Sequence, residues 1–247
     1  TKAEKEGDSY FLTGNKVFLS HGGPAGAYIT FAVTDKTKGP KGLSAFIVDP
    51  KIAKDGQEVV RIEEKMGLHG SITAQVALNR AEVPKENLLG EENDGFRLIL
   101  GSLSSSRIGI AAQAAGISET ALQEAINYAD QRVQFGKPIG RHQAISFMLA
   151  DMATKVHQSR LVYLNTAQMK HNGEDTSIES SIAKYYATEV AQKVTYDAVQ
   201  IHGGYGYSRE YRVERLFRDA RVLTIYEGTS EMQKTIISRG VLARAQK

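Results

Sequence analysis

The 247-residue sequence has no cysteine, no tryptophan and only five prolines. Without cysteine there are no disulfides, no thiolate metal ligands and no thiol nucleophile, which fits a reducing compartment. The six histidines are scattered without metal-ligand spacing, so no metal site is expected. A dominant charge is missing as well. The 31 Lys and Arg against 28 Asp and Glu leave a net charge of +3 spread along the chain, which is no footprint for nucleic acid and leaves open only a local basic surface for a phosphorylated ligand. No apolar run is long enough to span a bilayer. The opening Thr1-Lys2-Ala3-Glu4 has neither an initiator methionine nor a signal-peptide core, so the original N-terminus is expected to have been lost.

What is present, 41% hydrophobic and 24% charged residues, describes a globular chain long enough for one large domain or two ordinary ones. Up to about residue 90 the apolar runs are short and rich in β-branched and aromatic residues: Tyr10-Phe11-Leu12, Val17-Phe18-Leu19, Tyr28 to Val33, Ala45 to Val48 and Val76-Ala77-Leu78. Turn formers such as Thr13-Gly14-Asn15, Gly22-Gly23-Pro24 and Gly39-Pro40 bound them, so residues 1–90 read as an antiparallel β-domain or part of one. From Asp94 the period becomes helical. One long helix or two in series run to Ala129, a second covers about Gln143 to Lys170, and a third opens on a Thr176/Glu179 capping box and stops at Gly203-Gly204. A shorter piece covers Glu210 to Asp219, and a last helix opens on a Ser230/Gln233 capping box. The expected fold is α+β: a partial β-domain, then an up-and-down four-helix bundle over 91–247.

Three loops carry more polar and glycine residues than connection requires. Arg132-Val133-Gln134-Phe135-Gly136, with His142-Gln143 beyond, offers forked donors, a stacking face and amides, a set suited to a dinucleotide. In Gln200-Ile201-His202-Gly203-Gly204 the glycines permit close backbone approach to a ligand, although a helix C-cap explains them equally. In Tyr226-Glu227-Gly228-Thr229 a carboxylate lies between an apolar run and a helix start. Dehydration there raises its pKa toward that of a general base, while the helix N-terminus favours the anion.

Taken in order, these loops together with Lys65-Met66-Gly67-Leu68-His69-Gly70-Ser71, Val83-Pro84 with Asn87-Leu88-Leu89-Gly90, Gly95-Phe96 and Arg107-Ile108-Gly109 resemble the acyl-CoA dehydrogenase family over essentially the whole chain. The resemblance implies the middle β-domain and C-terminal helical domain, the C-terminal two-thirds of a short-chain, butyryl-CoA dehydrogenase-like enzyme of fatty acid β-oxidation. It also implies an FAD-dependent oxidation of an acyl-CoA to the trans-2-enoyl-CoA. Glu227 would take the α-proton and flavin N5 the β-hydrogen. Other branches of the family carry the base at the position of Ser106, which cannot serve.

By the same resemblance, Phe18, Ser20, Thr229 and Glu231 contact FAD, and Arg132, Gln134, Phe135, Gln143, Gln200, Ile201, His202, Gly203 and Gly204 reach the FAD of a neighbouring subunit. Arg107 and Gly228 face the substrate. The implied partners are electron-transferring flavoprotein and further copies of the chain in a homotetramer or dimer. The implied compartment is the bacterial cytoplasm or the mitochondrial matrix. Two other readings stay open: an acyl-CoA oxidase-like flavoenzyme and a noncatalytic oligomerisation fragment.

Overall fold

The computed structural model describes residues 1–244, so the last three residues of the 91–247 division lie outside the described residues. By internal contacts the chain separates into Thr1–Ser102 and a second unit from Leu103 onward, with the boundary inside the first long helix.

The first unit holds one sheet of β1 (Lys2–Glu6), β2 (Ser9–Ser20), β3 (Tyr28–Val33), β4 (Leu43–Val48), β5 (Gln57–Ile62), β6 (Thr73–Pro84) and β7 (Leu88–Leu89), in the order β5-β6-β2-β1-β3-β4-β7. Neighbours are antiparallel except β1 and β3, which pair in parallel at Lys2 and Val33. The sheet is therefore mixed rather than purely antiparallel. Its charged strand β1 (Lys-Ala-Glu-Lys-Glu) carries no apolar alternation by which the sequence could announce it.

Thr13-Gly14-Asn15, expected to be a turn, lies inside β2. The register against β6 slips between Leu12 and Gly14 and again between Lys16 and Leu19, so the glycine marks a bulge rather than a chain reversal. Inward-facing residues of β2, β4 and β6, namely Tyr10, Leu12, Phe46, Val48, Val76 and Val83, pack into one core. Full burial of a Val-, Leu- or Phe-sized side chain contributes about 1.5–3 kcal/mol.

The second unit is built on α1 (Gly95–Gln131), α2 (Gln143–His171), α3 (Ser177–His202), α4 (Arg212–Ala220) and α5 (Ser230–Arg244). The serine run at 104–106 does not interrupt α1, which is a single helix. Between α1 and α2 a small hairpin pairs β8 (Val133–Gln134) with β9 (Lys137–Pro138). Two cores hold the helices together. Met152 and Val156 of α2 meet Ala121 and Ala125 of α1 and Val190 and Val194 of α3. In the other, Ala111 and Ala114 of α1 meet Ala183, Ala187 and Ala191 of α3 and Ala220 of α4, small residues at helical spacing that let the helices approach closely.

Neither expected capping box forms. Thr176 makes no cap bond and its hydroxyl is buried without a partner, while Asp175 Oδ1 accepts the Ser177 N–H at 3.0 Å. At α5 it is Thr229 whose hydroxyl accepts a helical N–H, that of Met232 at 3.3 Å, and Ser230 instead donates to Glu189 Oε1 at 2.6 Å. Among the described residues no helix is long and apolar enough to cross a membrane.

Candidate active site

The segment leading to Glu227 is anchored by the alanine-lined core, where Leu223 is fully buried and Tyr226 packs alongside. Burial pushes the Tyr226 phenol up to about 12, and its hydroxyl donates to Gln113 Oε1 at 2.6 Å. The chain then turns sharply through two left-handed residues, Glu227 at φ +54° and Gly228 at φ +92°. A Cβ on residue 228 would stand 2.7 Å from Gln233 Nε2, so glycine is required there. Glu227 has no such freedom, and its conformation costs on the order of 1–3 kcal/mol, which the surroundings must offset.

Those surroundings are three side chains from three helices. Lys184 of α3 donates from Nζ to the Gly228 carbonyl at 2.7 Å. Gln233 of α5 donates to the same carbonyl at 2.8 Å and to that of Glu227 at 3.3 Å. Ser106 of α1 donates to Glu227 Oε2 at 2.6 Å. Lys184 and Gln233 are 0% exposed.

Burial, with the neighbouring Arg107 adding to it, brings the Lys184 ammonium down to about 8 against the pull of Glu189, Glu227 and Glu231. Arg107 is also lowered by burial, and the attraction of Glu227 opposes this. Its Nη1 lies 3.5 Å from Ser181 Oγ, and its Nε is buried without a hydrogen-bond partner. The result is a half-buried carboxylate of fixed direction beside two cations, a geometry able to remove a proton from an adjacent carbon acid.

A second feature lies at the end of α3. The helix stops at His202 because Gly203 turns at φ +59°. A cavity of about 640 Å³ opens beside it and is lined by Arg132, Gln134, Ile201, His202, Gly203 and Gly204, which brings together six of the residues named from sequence. His202 is buried, which lowers its pKa. Its Nδ1–H donates to the Ala198 carbonyl at 2.8 Å, and its ring stacks on Tyr128 at 4.2 Å. Arg132 lies over the ring of Tyr205 at 5.9 Å. Phe135 projects from the β8–β9 hairpin, 92% exposed and itself left-handed at φ +53°. Gln143 and Gln200 are exposed and do not line the cavity.

Thr229 and Glu231 lie elsewhere, on a cavity of about 390 Å³ with Gln192 and Arg221. In the first unit, Phe18 and Ser20 are exposed on β2, and Phe18, 72% exposed at φ +53°, stands where the register slips. A bulky side chain held left-handed and out of the core is uncommon and costs backbone energy.

Sequence reasoning missed Lys184 and Tyr128 and read Gln233 only as a capping residue. One signal for Lys184 was present. It stands between Ser180 and Thr188 at four-residue spacing, a long cation in a row of small side chains next to the row of Ala183, Ala187 and Ala191.

Two family descriptions match the chain: "Acyl-CoA dehydrogenase, middle domain" over residues 1–81 and "Acyl-CoA dehydrogenase, C-terminal domain" over residues 93–242. An acyl-CoA dehydrogenase of Bacillus subtilis is 50% identical, across 98% of this chain and 63% of that protein. The caffeyl-CoA reductase-Etf complex subunit CarC of Acetobacterium woodii is 46% identical, across 99% and 64%. The solved structure of butyryl-CoA dehydrogenase from Megasphaera elsdenii superposes with a TM-score of 0.95 at 46% identity, over 98% of this chain and 63% of that one. The chain thus spans just under two thirds of the length of these relatives. With both matches in order along it, the chain belongs to the acyl-CoA dehydrogenase family.

Proposed function

We propose that the protein is an FAD-dependent dehydrogenase of short-chain or branched short-chain acyl-CoA thioesters, with Glu227 as the α-proton base. The observation that carries the reading is the Glu227 turn: a left-handed carboxylate whose backbone and side chain are both held from outside the loop. Fixing a base in advance of the reaction removes the cost of orienting it in the transition state.

Glu227 takes the α-proton, the Ser106 hydroxyl steadies the carboxylate oxygen that does not take it, and Arg107 and Gly228 face the thioester. FAD, when bound, supplies an acceptor for the β-hydrogen. The donor set at the end of α3 fits such a cofactor. Arg132 brings a guanidinium suited to a diphosphate and Gln134 an amide, and a Cβ on Gly203 or Gly204 would meet nothing within 4 Å, which leaves the backbone open to close approach. Because Arg132, Gln134 and Phe135 are exposed, the reading assigns this cavity, with Gln143 and Gln200, to FAD shared with a second copy of the chain in a homotetramer or dimer. Phe18 and Ser20 of the first unit are assigned to FAD, Thr229 and Glu231 of the second to its adenine-diphosphate portion, and electron-transferring flavoprotein is the acceptor. The functional division is a middle β-domain over 1–90 and a helical domain over 91–247.

A second direction has a specific observation behind it: the relative from Acetobacterium woodii is named as a reductase. The same residues serve in reverse, with protonated Glu227 returning a proton to the α-carbon.

The test is an anaerobic visible spectrum of the intact protein before and after butyryl-CoA. A flavin band that bleaches supports the reading. A colourless protein, or a band that butyryl-CoA leaves unchanged, contradicts it.

A further inference from the structure

Lys184 is a fully buried ammonium on α3, and among the described residues no carboxylate oxygen forms an ion pair with it. Burying a charge without a direct counter-ion is costly, and packing alone is better served there by Met or Leu. What the ammonium does that an apolar side chain cannot is to donate to the Gly228 carbonyl, 2.7 Å away and 44 residues along the chain. Gln233 donates to the same oxygen at 2.8 Å, so both acceptor positions of that carbonyl are used by fully buried donors from two different helices. The peptide group after Gly228 therefore cannot rotate without leaving two buried donors unpaired, each at substantial cost. Gln233 also reaches the carbonyl of the preceding peptide, that of Glu227, at 3.3 Å. The constraint acts across the left-handed pair Glu227 at φ +54° and Gly228 at φ +92°.

We infer that Lys184 is a positioning residue for the α-proton base: together with Gln233 it fixes the Gly228 carbonyl and so the left-handed turn that directs the Glu227 carboxylate. The inference rests on Glu227 being the base, as proposed above. Lys184 itself touches neither substrate nor reacting atoms in this role. It acts through the backbone.

The test compares wild type with Lys184→Met and Gln233→Leu in the intact protein loaded with FAD, by two readouts. The first is amide hydrogen exchange across residues 226–231. The second is the rate of flavin bleaching at saturating butyryl-CoA, set against the Kd for butyryl-CoA. Lys184→Met is expected to speed exchange of the loop about tenfold, with the interior of α3 unchanged. It is expected to slow bleaching by about ten- to hundredfold while the Kd moves less than about twofold. Gln233→Leu acts in the same direction and carries the test if Lys184→Met does not fold. A folded variant with unchanged loop exchange and unchanged bleaching overturns the inference and reduces Lys184 to packing. If wild type does not bleach while the variants still free the loop, it is the dehydrogenase reading that fails, while the clamp of Lys184 and Gln233 on the loop stands.

Discussion

At Glu227, side chains from α1, α3 and α5 converge on two residues, and every one of those contacts is internal to the helical unit. At the end of α3, Arg132 and Gln134 face a cavity, and Phe135 holds the same left-handed backbone as Glu227 with little around it beyond an edge-on contact to His142 at 6.0 Å. The two places share a strained residue and differ in what offsets the strain. Where the chain itself supplies the partners, the geometry is complete before any ligand arrives, as a base requires. Where it does not, the proposed function supplies the partner from outside, as suits a cofactor cradle. On the proposed function, the first site serves reaction and the second capture of the cofactor.

That contrast can be broken most forcefully at Glu227→Gln. The amide keeps shape and hydrogen bonding but cannot accept the proton, so steady-state turnover should fall by about 10²–10⁴-fold while FAD content stays at the wild-type level. Arg132→Ala should do the reverse. It should weaken FAD binding by about ten- to hundredfold, measured by flavin release on dilution, and leave loop exchange at 226–231 untouched. If Arg132→Ala frees the loop, the two sites are one and the comparison is wrong. Gly228→Ala places a Cβ against Gln233 in a left-handed residue and should cost about 1–3 kcal/mol by denaturant unfolding.

The pH effect is smaller. The Lys184 ammonium sits near 8 in the folded chain, against 10.5 for the free group, among Arg107 of α1, Glu189 of α3, Glu227 of the loop and Glu231 of α5. Between those values the unfolded chain binds more protons at this site, so its contribution to stability rises with pH and is least favourable below about 8. Thermal midpoints of wild type relative to Lys184→Met should therefore improve as pH is raised from about 7.5 to about 9.5. A constant difference would show that Lys184 is not held in a dehydrated site.

The sequence made some of this architecture legible and hid the rest for identifiable reasons. Runs such as Tyr28 to Val33, the helical period of α2 and the stop at Gly203 are local signals, and the structure follows them. Strand β1 is charged and β5 leaves Val59, Val60 and Ile62 exposed, so neither is a plain half-buried strand. Gly14 resembled a turn because bulges and turns recruit the same residue. Ser230 and Thr176 had capping spacing, but Ser230 donates its hydroxyl to the tertiary partner Glu189 while Thr229 accepts the Met232 N–H. At the start of α3, Asp175, not Thr176, accepts an N–H, that of Ser177. Glu227 could be singled out from its place between an apolar run and a helix. Its clamp could not, because Lys184 lies 44 residues from the carbonyl it holds and only the packing of α3 brings it there.

The central claim is that a pre-fixed Glu227 removes the α-proton. The most direct measurement is an anaerobic titration of flavin absorbance with butyryl-CoA, wild type beside Glu227→Gln, each loaded with FAD. The account predicts that wild type bleaches while Glu227→Gln binds butyryl-CoA with a similar Kd and keeps its flavin band. Bleaching of Glu227→Gln at the wild-type rate would contradict it.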